Sequence, residues 1–322
     1  MKATRGRKWG LSMRMVTRRR RIIFWILAGL FLLGVGILAA TPPLVMGDMI
    51  NLHVDFKTTY DAEDFGLEVS ELTLRTVDGY GISAFEVEAD DPKAVIIFIS
   101  GIHNPSVTAF FGHARMFREH GYASVLYDMR AHGKSEGDVI TLGYLETHDT
   151  QAVVDYIRSK GAYQDLPIIV YGLSMGGTVA INSIGQIPEI AGLVSMSAYS
   201  SWEDVFQENM LAMGFPELLT KVQKPFVKLY TVLKFGWKTS NIYPAKQIAN
   251  LGSRPALLIH SLGDTQVPYG NLARIVEQAP SQVETWTRPG DEHMIIPDFL
   301  HPENDAEYAG GVLEFFERNF GS

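Results

Sequence analysis

Residues 168–177 read Ile-Ile-Val-Tyr-Gly-Leu-Ser-Met-Gly-Gly, an apolar run that leads into a serine set between glycines. The run predicts a buried strand, and a helical pattern follows it near residues 175–186. A serine on so tight a turn lies close to neighbouring backbone, so small residues must stand two positions before and after it. Gly172 and Gly176 meet this need. We therefore predict a turn that projects the Ser174 hydroxyl above a strand end; the alternative is a glycine-rich loop that only packs a helix on a strand.

The rest of the chain repeats this alternation of short apolar runs and helix-length segments. Such a pattern is typical of buried parallel strands joined by crossover helices, so we predict an α/β fold with a doubly wound, mostly parallel sheet. Glu68–Thr76 and Ile82–Glu88 flank Asp78-Gly79, a hairpin turn signal that predicts an antiparallel edge. The predicted parallel strands are residues 94–99, 122–127, 167–171, 193–196, 256–260 and 283–287, and the predicted helices lie near 107–120, 147–160, 175–186, 269–278 and 306–319.

Two further polar side chains follow predicted strands, where the active sites of such sheets lie. Asp264 comes after the run at 256–260, and His293 comes after the run at 283–287. A serine hydroxyl needs a base to remove its proton, and the imidazole that does so needs a carboxylate to orient it. We therefore predict a catalytic triad of Ser174, Asp264 and His293. Asp291 or Glu292 could be the acid instead, but both stand very near His293 in sequence.

The turn at Ser174 also predicts a way to stabilise negative charge. The amide of Met175 would lie at the start of a helix, where developing negative charge is favoured. The Met175 amide is therefore expected to donate a hydrogen bond to an oxyanion.

Taken together, these motifs resemble the α/β-hydrolase superfamily, most closely its serine aminopeptidase-like and monoacylglycerol-lipase-like branch. The resemblance covers about Leu67 to Phe320. It is carried by Gly-Leu-Ser-Met-Gly-Gly at 172–177, Tyr-Asp-Met-Arg-Ala-His-Gly-Lys-Ser at 127–135, and the dipeptides Gly263-Asp264 and Glu292-His293. It implies an α/β-hydrolase fold with a helical cap insertion, and it identifies the fold better than the substrate.

The chain departs from this family where a His-Gly dipeptide would precede the second oxyanion amide. Ser100-Gly101-Ile102 stands there instead, so the glycine is kept and the histidine is replaced. The resemblance implies that the amide of Ile102 is the second donor and that Gly101 and His103 line the substrate pocket. It also implies that the loop Arg130-Ala131-His132-Gly133 is structural support.

A cap is expected at about residues 198–248, where the sheet pattern gives way to apolar helical segments. A cap excludes water and shapes the pocket, so its apolar side chains, Met210 and Phe215 among them, are expected to contact an acyl or other apolar group. The alternative is ordinary helix core. The same stretch contains five lysines that could meet anionic lipid headgroups or could form a solvated helix face. They are Lys221, Lys224, Lys228, Lys234 and Lys238.

Charge is distributed unevenly along the chain. The first 21 residues hold nine basic side chains and no acidic one, which leaves 19 basic and 36 acidic side chains in the remainder. This excess of acidic side chains after residue 21 would repel a phosphate backbone. Nucleic acid is therefore not an expected partner. The chain has no cysteine, which excludes disulfides, thiolate metal sites and a cysteine nucleophile.

The nineteen uncharged residues Ile22–Ala40 follow this basic arm directly. At about 1.5 Å per residue they span roughly the ~30 Å of a bilayer core, so they predict one transmembrane helix. The positive-inside rule places the N-terminus in the cytoplasm and the rest outside. Pro42 and Pro43 are expected to end the helix. A cleaved signal peptide and a core helix are the alternatives.

The sequence thus predicts a basic cytoplasmic arm (residues 1–21), a transmembrane helix (22–40), a linker (41–65) and an α/β-hydrolase domain (66–322). The expected reaction is hydrolysis of a carboxylic ester or related acyl compound through an acyl-enzyme, with a small-molecule or lipid-like substrate. A peptidase or thioesterase could use the same triad. From another class, the chain could be a membrane-tethered binding protein without catalysis.

No cofactor is expected, because neither a dinucleotide fingerprint nor a phosphate-binding loop occurs. A metal site built on His293, His301 and nearby carboxylates lacks a recognisable ligand spacing. Haloalkane or epoxide chemistry is not expected, since relatives with those activities place aspartate where Ser174 stands. The oligomeric state is left open.

Overall fold

The computed structural model describes the backbone of residues 6–103 and 105–321, with side chains from Arg18 onward. Most of the predicted basic arm therefore lies outside the described side chains. The chain divides into two units, one that ends at Gly47 and one that begins at Asp48. The first unit is helical, and the second contains the sheet.

The second unit is built on one eight-stranded sheet. Its strands are β1 (Ser70–Arg75), β2 (Gly81–Val87), β3 (Ala94–Ile99), β4 (Tyr122–Tyr127), β5 (Ile168–Leu173), β6 (Ile190–Met196), β7 (Ala256–Ser261) and β8 (Glu284–Arg288). They lie in the order β1-β2-β4-β3-β5-β6-β7-β8. β1 pairs with β2, and β2 with β4, in antiparallel fashion, and all other pairs are parallel. The predicted hairpin edge and parallel sheet are both confirmed.

Helices connect these strands. They are α1 (Gly6–Ile50), α2 (Phe111–Glu119), α3 (Thr147–Ser159), α4 (Met175–Ile184), α5 (Trp202–Ala212), α6 (Glu217–Phe235), α7 (Pro244–Gln247), α8 (Gly270–Val276) and α9 (Ala306–Phe320). Short 3₁₀ turns cover Ala62–Phe65, Val107–Phe110, Trp237–Asn241, Ile248–Leu251 and Pro302–Asn304. α5, α6 and α7 fall in the region predicted as a cap, between β6 and β7.

Aromatic side chains fill the core between the sheet and two of these helices. Phe117 of α2 and Phe316 of α9 lie with ring centroids 4.5 Å apart, and Tyr122 of β4 packs edge-on against both. All three are almost fully buried. Burial of such rings removes a large apolar area from water, and this is the main favourable contribution to folding.

β6 begins at Ile190, three residues before the predicted run at 193–196. The start was missed because Ala191 and Gly192 carry little apolar surface in the sequence pattern. The structure explains the glycine, since a β-carbon at Gly192 would collide with the ring of Phe320. Ile190 itself pairs with Ile168 of β5, where the register shifts. Ala191 and Gly192 thus belong to β6, and the ring of Phe320 packs against the strand at Gly192.

The N-terminal helix is longer than predicted. It contains a span, Arg18–Ile50, that is long and apolar enough to cross a membrane, and an 18-residue window within the span has a mean hydropathy of 2.7. The expectation that Pro42 and Pro43 end the helix is wrong, because α1 continues to Ile50. Two prolines remove two amide donors from the helix. The Thr41 hydroxyl, directly before the proline pair, donates to the Ile37 carbonyl at 2.9 Å.

Candidate active site

Ser174 lies on the sharp turn between β5 and α4, with backbone angles of φ +56° and ψ −120°. A serine rarely adopts such a conformation, which costs about 1–3 kcal/mol and persists only where the surrounding structure enforces it. The amide of Ser174 donates to the carbonyl of Met196 at 2.8 Å, which fixes the turn to the end of β6. The side chain is half-buried at the carboxyl edge of the sheet, where the sequence predicted it.

The glycines on either side of Ser174 are required by close backbone packing. A β-carbon on Gly172 would collide with the carbonyl group of Gly176. A β-carbon on Gly176 would collide with the carbonyl oxygens of Ile99 and Ser100, at the end of β3. The turn is therefore wedged against the segment that leads into Gly101 and Ile102, the predicted second oxyanion loop.

Asp264 and His293 meet directly. Their side chains approach to 2.7 Å between Asp264 Oδ2 and His293 Nδ1, although 29 residues separate them in sequence. Asp264 is buried and His293 is half-buried. Asp291 and Glu292, the alternative acids, are exposed. The structure therefore pairs His293 with the carboxylate that the strand-end argument selected.

The second oxygen of Asp264 is also occupied. Its Oδ1 accepts hydrogen bonds from the amides of Gln266 and Val267 at 2.9 and 3.0 Å. Burial acts to raise the pKa of Asp264, but the hydrogen bond and charge of His293, together with these amides, hold the pKa below its ordinary value. The carboxylate is therefore ionised at neutral pH and can orient a neutral or charged imidazole.

Two serines that the sequence did not single out hold the loop that carries His293. Ser197, one residue past β6, donates to the carbonyl of His293 at 2.7 Å. Ser261, at the end of β7, donates to the carbonyl of Glu292 at 2.6 Å. Because Met196 accepts from the Ser174 amide, the dipeptide Met196-Ser197 connects the serine turn to the histidine loop.

The serine and the imidazole are not joined by a hydrogen bond in this conformation. Within residues 6–103 and 105–321, neither Ser174 Oγ nor His293 Nε2 has a hydrogen-bond partner. Catalytic hydrogen bonds are often long in the absence of substrate and tighten when it binds. The free Nε2 and the free hydroxyl are the two groups that a base-assisted attack requires.

The two predicted oxyanion donors belong to different segments of the chain. Met175 is the first residue of α4, where helix amides have no intrahelical acceptor. Ile102 is half-buried in the bend that follows β3. The role of both residues as donors stays a prediction.

The loop of Ile102 is held by a histidine that the sequence assigned only to structural support. The His103 amide, in a left-handed conformation at φ +63°, donates to His132 Nε2 at 3.4 Å. His132 Nδ1 in turn donates to the Arg130 carbonyl at 2.8 Å. Burial lowers the pKa of His132 to about 4, so the ring is neutral at pH 7 and its Nε2 accepts. The ring of His103 makes a different contact from its amide, because the ring Nε2 lies 2.9 Å from the Met49 carbonyl oxygen.

Arg130 holds this support loop through two ion pairs. Its guanidinium contacts Asp149 and Asp78, each at 2.7 Å, and lies 4.7 Å from the centre of the Tyr80 ring. Asp149 is fully buried and Arg130 is nearly so. Removal of one partner would leave a buried charge unpaired, which costs several kcal/mol. The predicted supporting role of the loop therefore has a physical basis.

The predicted substrate contacts in the cap are the least defined part of the site. Met210 is half-buried near the end of α5, whereas Phe215 lies in the turn before α6 and is 45% exposed. Contact of either side chain with a substrate stays a prediction.

A cavity of about 850 Å³ lies away from these residues. Asp55, Phe56, Tyr60, Phe85 and Asp128 are among the residues that line it, and no member of the predicted site does. In the described part of the chain, no group of three or more His, Asp or Glu side chains is arranged to hold a metal ion.

Comparison with known proteins supports a single family. The family described as serine aminopeptidase, S33, matches residues 90–254, about half of the chain. YqkD of Bacillus subtilis (strain 168) is 23% identical over 261 residues, which cover 78% of this chain and 80% of YqkD. The Saccharomyces cerevisiae protein YNL320W, described as an uncharacterized membrane protein, is 21% identical over 232 residues, with 71% of this chain and 72% of that protein covered.

Among solved structures, the Pyrococcus furiosus esterase Pf2001 has a similar fold, with a TM-score of 0.65 and 23% identity. The similarity covers 84% of this chain and 98% of the esterase. The predicted α/β-hydrolase fold is thereby confirmed. The extent of the family match and the shared fold identify this chain as a hydrolase that belongs to the serine aminopeptidase, S33, family.

Proposed function

We propose that this hydrolase cleaves carboxylic esters through an acyl-enzyme formed on Ser174. The observation that carries the proposal is the 2.7 Å hydrogen bond between Asp264 and His293 beside a serine on a left-handed turn. This combination supplies an activated nucleophile, a base and a group that orients the base. The family match supports hydrolysis independently.

In the first half-reaction, Ser174 Oγ attacks the ester carbonyl carbon while its proton passes to His293 Nε2. The carbonyl oxygen becomes an oxyanion, to which the amides of Met175 and Ile102 are expected to donate hydrogen bonds. Collapse of this intermediate breaks the bond to the alcohol oxygen, which takes the proton from His293. Asp264 stabilises the transient imidazolium, and its lowered pKa keeps it charged for that purpose.

In the second half-reaction, a water molecule replaces the alcohol. His293 removes a proton from the water, and the resulting hydroxide equivalent attacks the acyl carbonyl carbon. The bond to Ser174 Oγ then breaks, and Oγ recovers the proton. The net reaction is ester plus water to acid plus alcohol, which needs no cofactor.

Two observations bear on the substrate. The solved neighbour from Pyrococcus furiosus is described as an esterase, and the family description names an aminopeptidase. The buried residues of cap helix α5, Val205 and Phe206, are apolar, which favours an acyl group over a charged peptide end. Peptide or thioester cleavage by the same groups is the second candidate, because the triad does not set the substrate class.

The test uses the full chain in detergent micelles with a fluorophosphonate probe and a series of esters of increasing acyl length. Amide and thioester analogues of the preferred acyl group complete the panel. We expect labelling and turnover by the unsubstituted chain and loss of both in Ser174→Ala and His293→Ala. Ser159→Ala, which changes an exposed serine at the end of α3, is the matched control and should label normally.

A chain that neither labels nor hydrolyses any member of the panel would contradict the proposal and favour a membrane-tethered binding protein. A chain that labels at Ser174 but cleaves only amides would retain the mechanism and replace the ester by a peptide. Rapid release of alcohol followed by slower release of acid would support the acyl-enzyme, since the two half-reactions then separate in time.

We further propose that α1 is an uncleaved single-pass anchor with its N-terminus in the cytoplasm and the hydrolase domain outside. The span, the basic residues before it and the description of YNL320W as a membrane protein support this arrangement. Because the chain lacks cysteine, a single cysteine at Val77 can report the location of the domain. A membrane-impermeant maleimide should label the Val77→Cys variant in intact cells. The mass of the purified protein should be that of a chain that still contains residue 1. Protection from the reagent would contradict the topology, and a shortened mass would indicate a cleaved signal.

A further inference from the structure

Exposed apolar side chains of the second unit are concentrated in the cap. α6 carries five of them, and four of the five lie on one face at spacings of four, seven and four residues: Leu218, Val222, Leu229 and Leu233. We call these four residues the apolar stripe. Leu218 and Leu233 are each 76% exposed, and Trp237, just past the helix end, is 74% exposed. Soluble proteins rarely leave so continuous an apolar surface in water.

The opposite face of α6 is unusually polar for a buried surface. Thr220, Gln223 and Thr231 are almost completely buried there, with Val227 as the apolar member. An ordinary surface helix turns apolar residues inward and polar residues to solvent. α6 has the reverse arrangement, so its sequence favours an apolar environment on the side that faces away from the domain.

Basic side chains flank the stripe. Lys221, Lys224 and Lys228 follow one another at spacings of three and four residues, on one side of the stripe. Lys221 forms an exposed ion pair with Glu217 at 2.6 Å and Lys224 is paired with Asp204, whereas Lys228 lies over the Tyr243 ring at 5.4 Å. A helix with an apolar face, flanking lysines and a nearby tryptophan is typical of helices that lie in the interface of a membrane.

Chain connectivity sets an upper limit on the distance between α6 and the proposed anchor. Lys234 of α6 donates a hydrogen bond to the side chain of Asn51. The predicted transmembrane segment ends at Ala40, and the eleven residues from there to Asn51 can span at most about 40 Å even when fully extended. The end of α6 is therefore held within reach of any bilayer that contains the anchor.

We propose that the apolar stripe of α6 docks on the surface of the lipid bilayer, with Lys221 and Lys228 directed to anionic headgroups. The proposal rests on membrane insertion of α1 and does not depend on the hydrolase chemistry. It would place the cap at the membrane, where an apolar ester substrate would be dissolved. A second copy of the chain covering the stripe is the competing outcome of the test.

The experiment exploits the absence of cysteine. Leu229→Cys and Leu233→Cys carry a nitroxide label in the full chain, reconstituted in nanodiscs of phosphatidylcholine and phosphatidylglycerol. Val77→Cys, 83% exposed at the β1–β2 turn, is the control for a water-facing label. Collision of each label with oxygen, which concentrates in lipid, is compared with collision with a water-soluble nickel chelate.

Docking predicts that the labels at 229 and 233 collide with oxygen far more than with nickel, whereas the label at 77 shows the opposite preference. Labels at 229 that collide with nickel as readily as the control would overturn the proposal. Labels shielded from both reagents, with spectral broadening between copies, would overturn it in favour of a dimer.

A charge substitution provides a second measurement. The nitroxide label is placed at position 222 (Val222→Cys) for this measurement. Leu229→Lys and Leu233→Lys should each lower the ratio of docked to undocked protein by about tenfold. Each substitution removes a leucine that docking would bury in the bilayer. Hydrolysis of a water-soluble short-chain ester should remain unchanged, since the stripe lies outside the proposed catalytic groups. An unchanged docking ratio would contradict the proposal. Release of the chain by alkaline carbonate would instead contradict the anchor, which separates the two failures.

Discussion

The hydroxyl of Ser197 lies 2.7 Å from the backbone carbonyl of His293, 96 residues away in sequence. This hydrogen bond fixes the histidine loop to the end of β6, whose preceding residue, Met196, accepts from the amide of Ser174. One dipeptide thus sets the separation between the proposed nucleophile and its base. Small displacements at such a position are expected to affect the chemical step more than substrate binding.

We therefore expect Ser197→Ala to lower kcat by about tenfold, with KM little changed, because a displaced imidazole reduces the fraction of productive complexes. Steady-state kinetics on the preferred ester would measure both constants. Ser183→Ala is the matched control, since Ser183 is equally buried and its hydroxyl bonds to Thr150 at the far end of α4. Equal losses of kcat in both variants would show that the effect is only structural.

Asp264 should be far more important than the carboxylates beside His293. Asp264→Asn keeps the shape but removes the charge that stabilises the imidazolium, and comparable changes lower kcat by about 10⁴-fold. Asp291→Asn, at an exposed neighbour, should stay within about twofold of the unsubstituted chain. The measurement is kcat on the same ester. A larger loss in Asp291→Asn than in Asp264→Asn would reassign the acid.

The glycines around Ser174 should tolerate no side chain. Gly176→Ala forces a β-carbon onto the carbonyl oxygens of Ile99 and Ser100, and we expect a loss of at least about 3 kcal/mol in the free energy of unfolding. Gly310→Ala is the control, because Gly310 lies within α9 with open space around its β-position. There the same change should stabilise by about 0.5–1 kcal/mol. Denaturant unfolding would measure both, and a mild effect at Gly176 would contradict the packing described.

Stability should fall in mild acid because of His113. Burial lowers the pKa of His113 to about 3 from an ordinary value near 6.5, so the folded chain keeps this ring neutral. Between those values the unfolded chain binds the proton more readily, so stability is complete above about pH 6.5 and is lost as pH falls toward 3. At pH 5 the loss from this residue would be on the order of 2 kcal/mol.

His113→Phe tests this expectation, because Phe98, Phe110 and Phe299 already surround the ring. The fall in Tm between pH 7 and pH 5 should be smaller in this variant than in the unsubstituted chain. His120→Gln controls for the loss of an exposed imidazole in the same segment. An unchanged pH dependence of Tm in His113→Phe would show that another group is responsible.

The features that depend on near neighbours along the chain could be predicted from the residues alone. A serine between glycines at the end of an apolar run can form few structures other than the turn at Ser174, because the backbone there admits no side chain. Alternation of apolar runs with helical segments predicted the parallel sheet, and with it the edge at which Asp264 and His293 would follow their strands. A long uncharged stretch predicted the N-terminal helix for the same local reason, although the two prolines did not end it.

The relationships between distant segments became visible only in the folded chain. Ser197 and Ser261 gave no signal in the sequence, because a serine after a strand is common and its acceptor lies on another loop. The sequence assigned His132 to a support loop but did not predict that its Nε2 accepts a hydrogen bond from the His103 amide. The reversed polarity of α6 also required the fold, since a helical pattern shows two faces but does not say which one the domain buries. Which face is buried depends on the shape and polarity of the surfaces available for packing, and these exist only once the chain has folded.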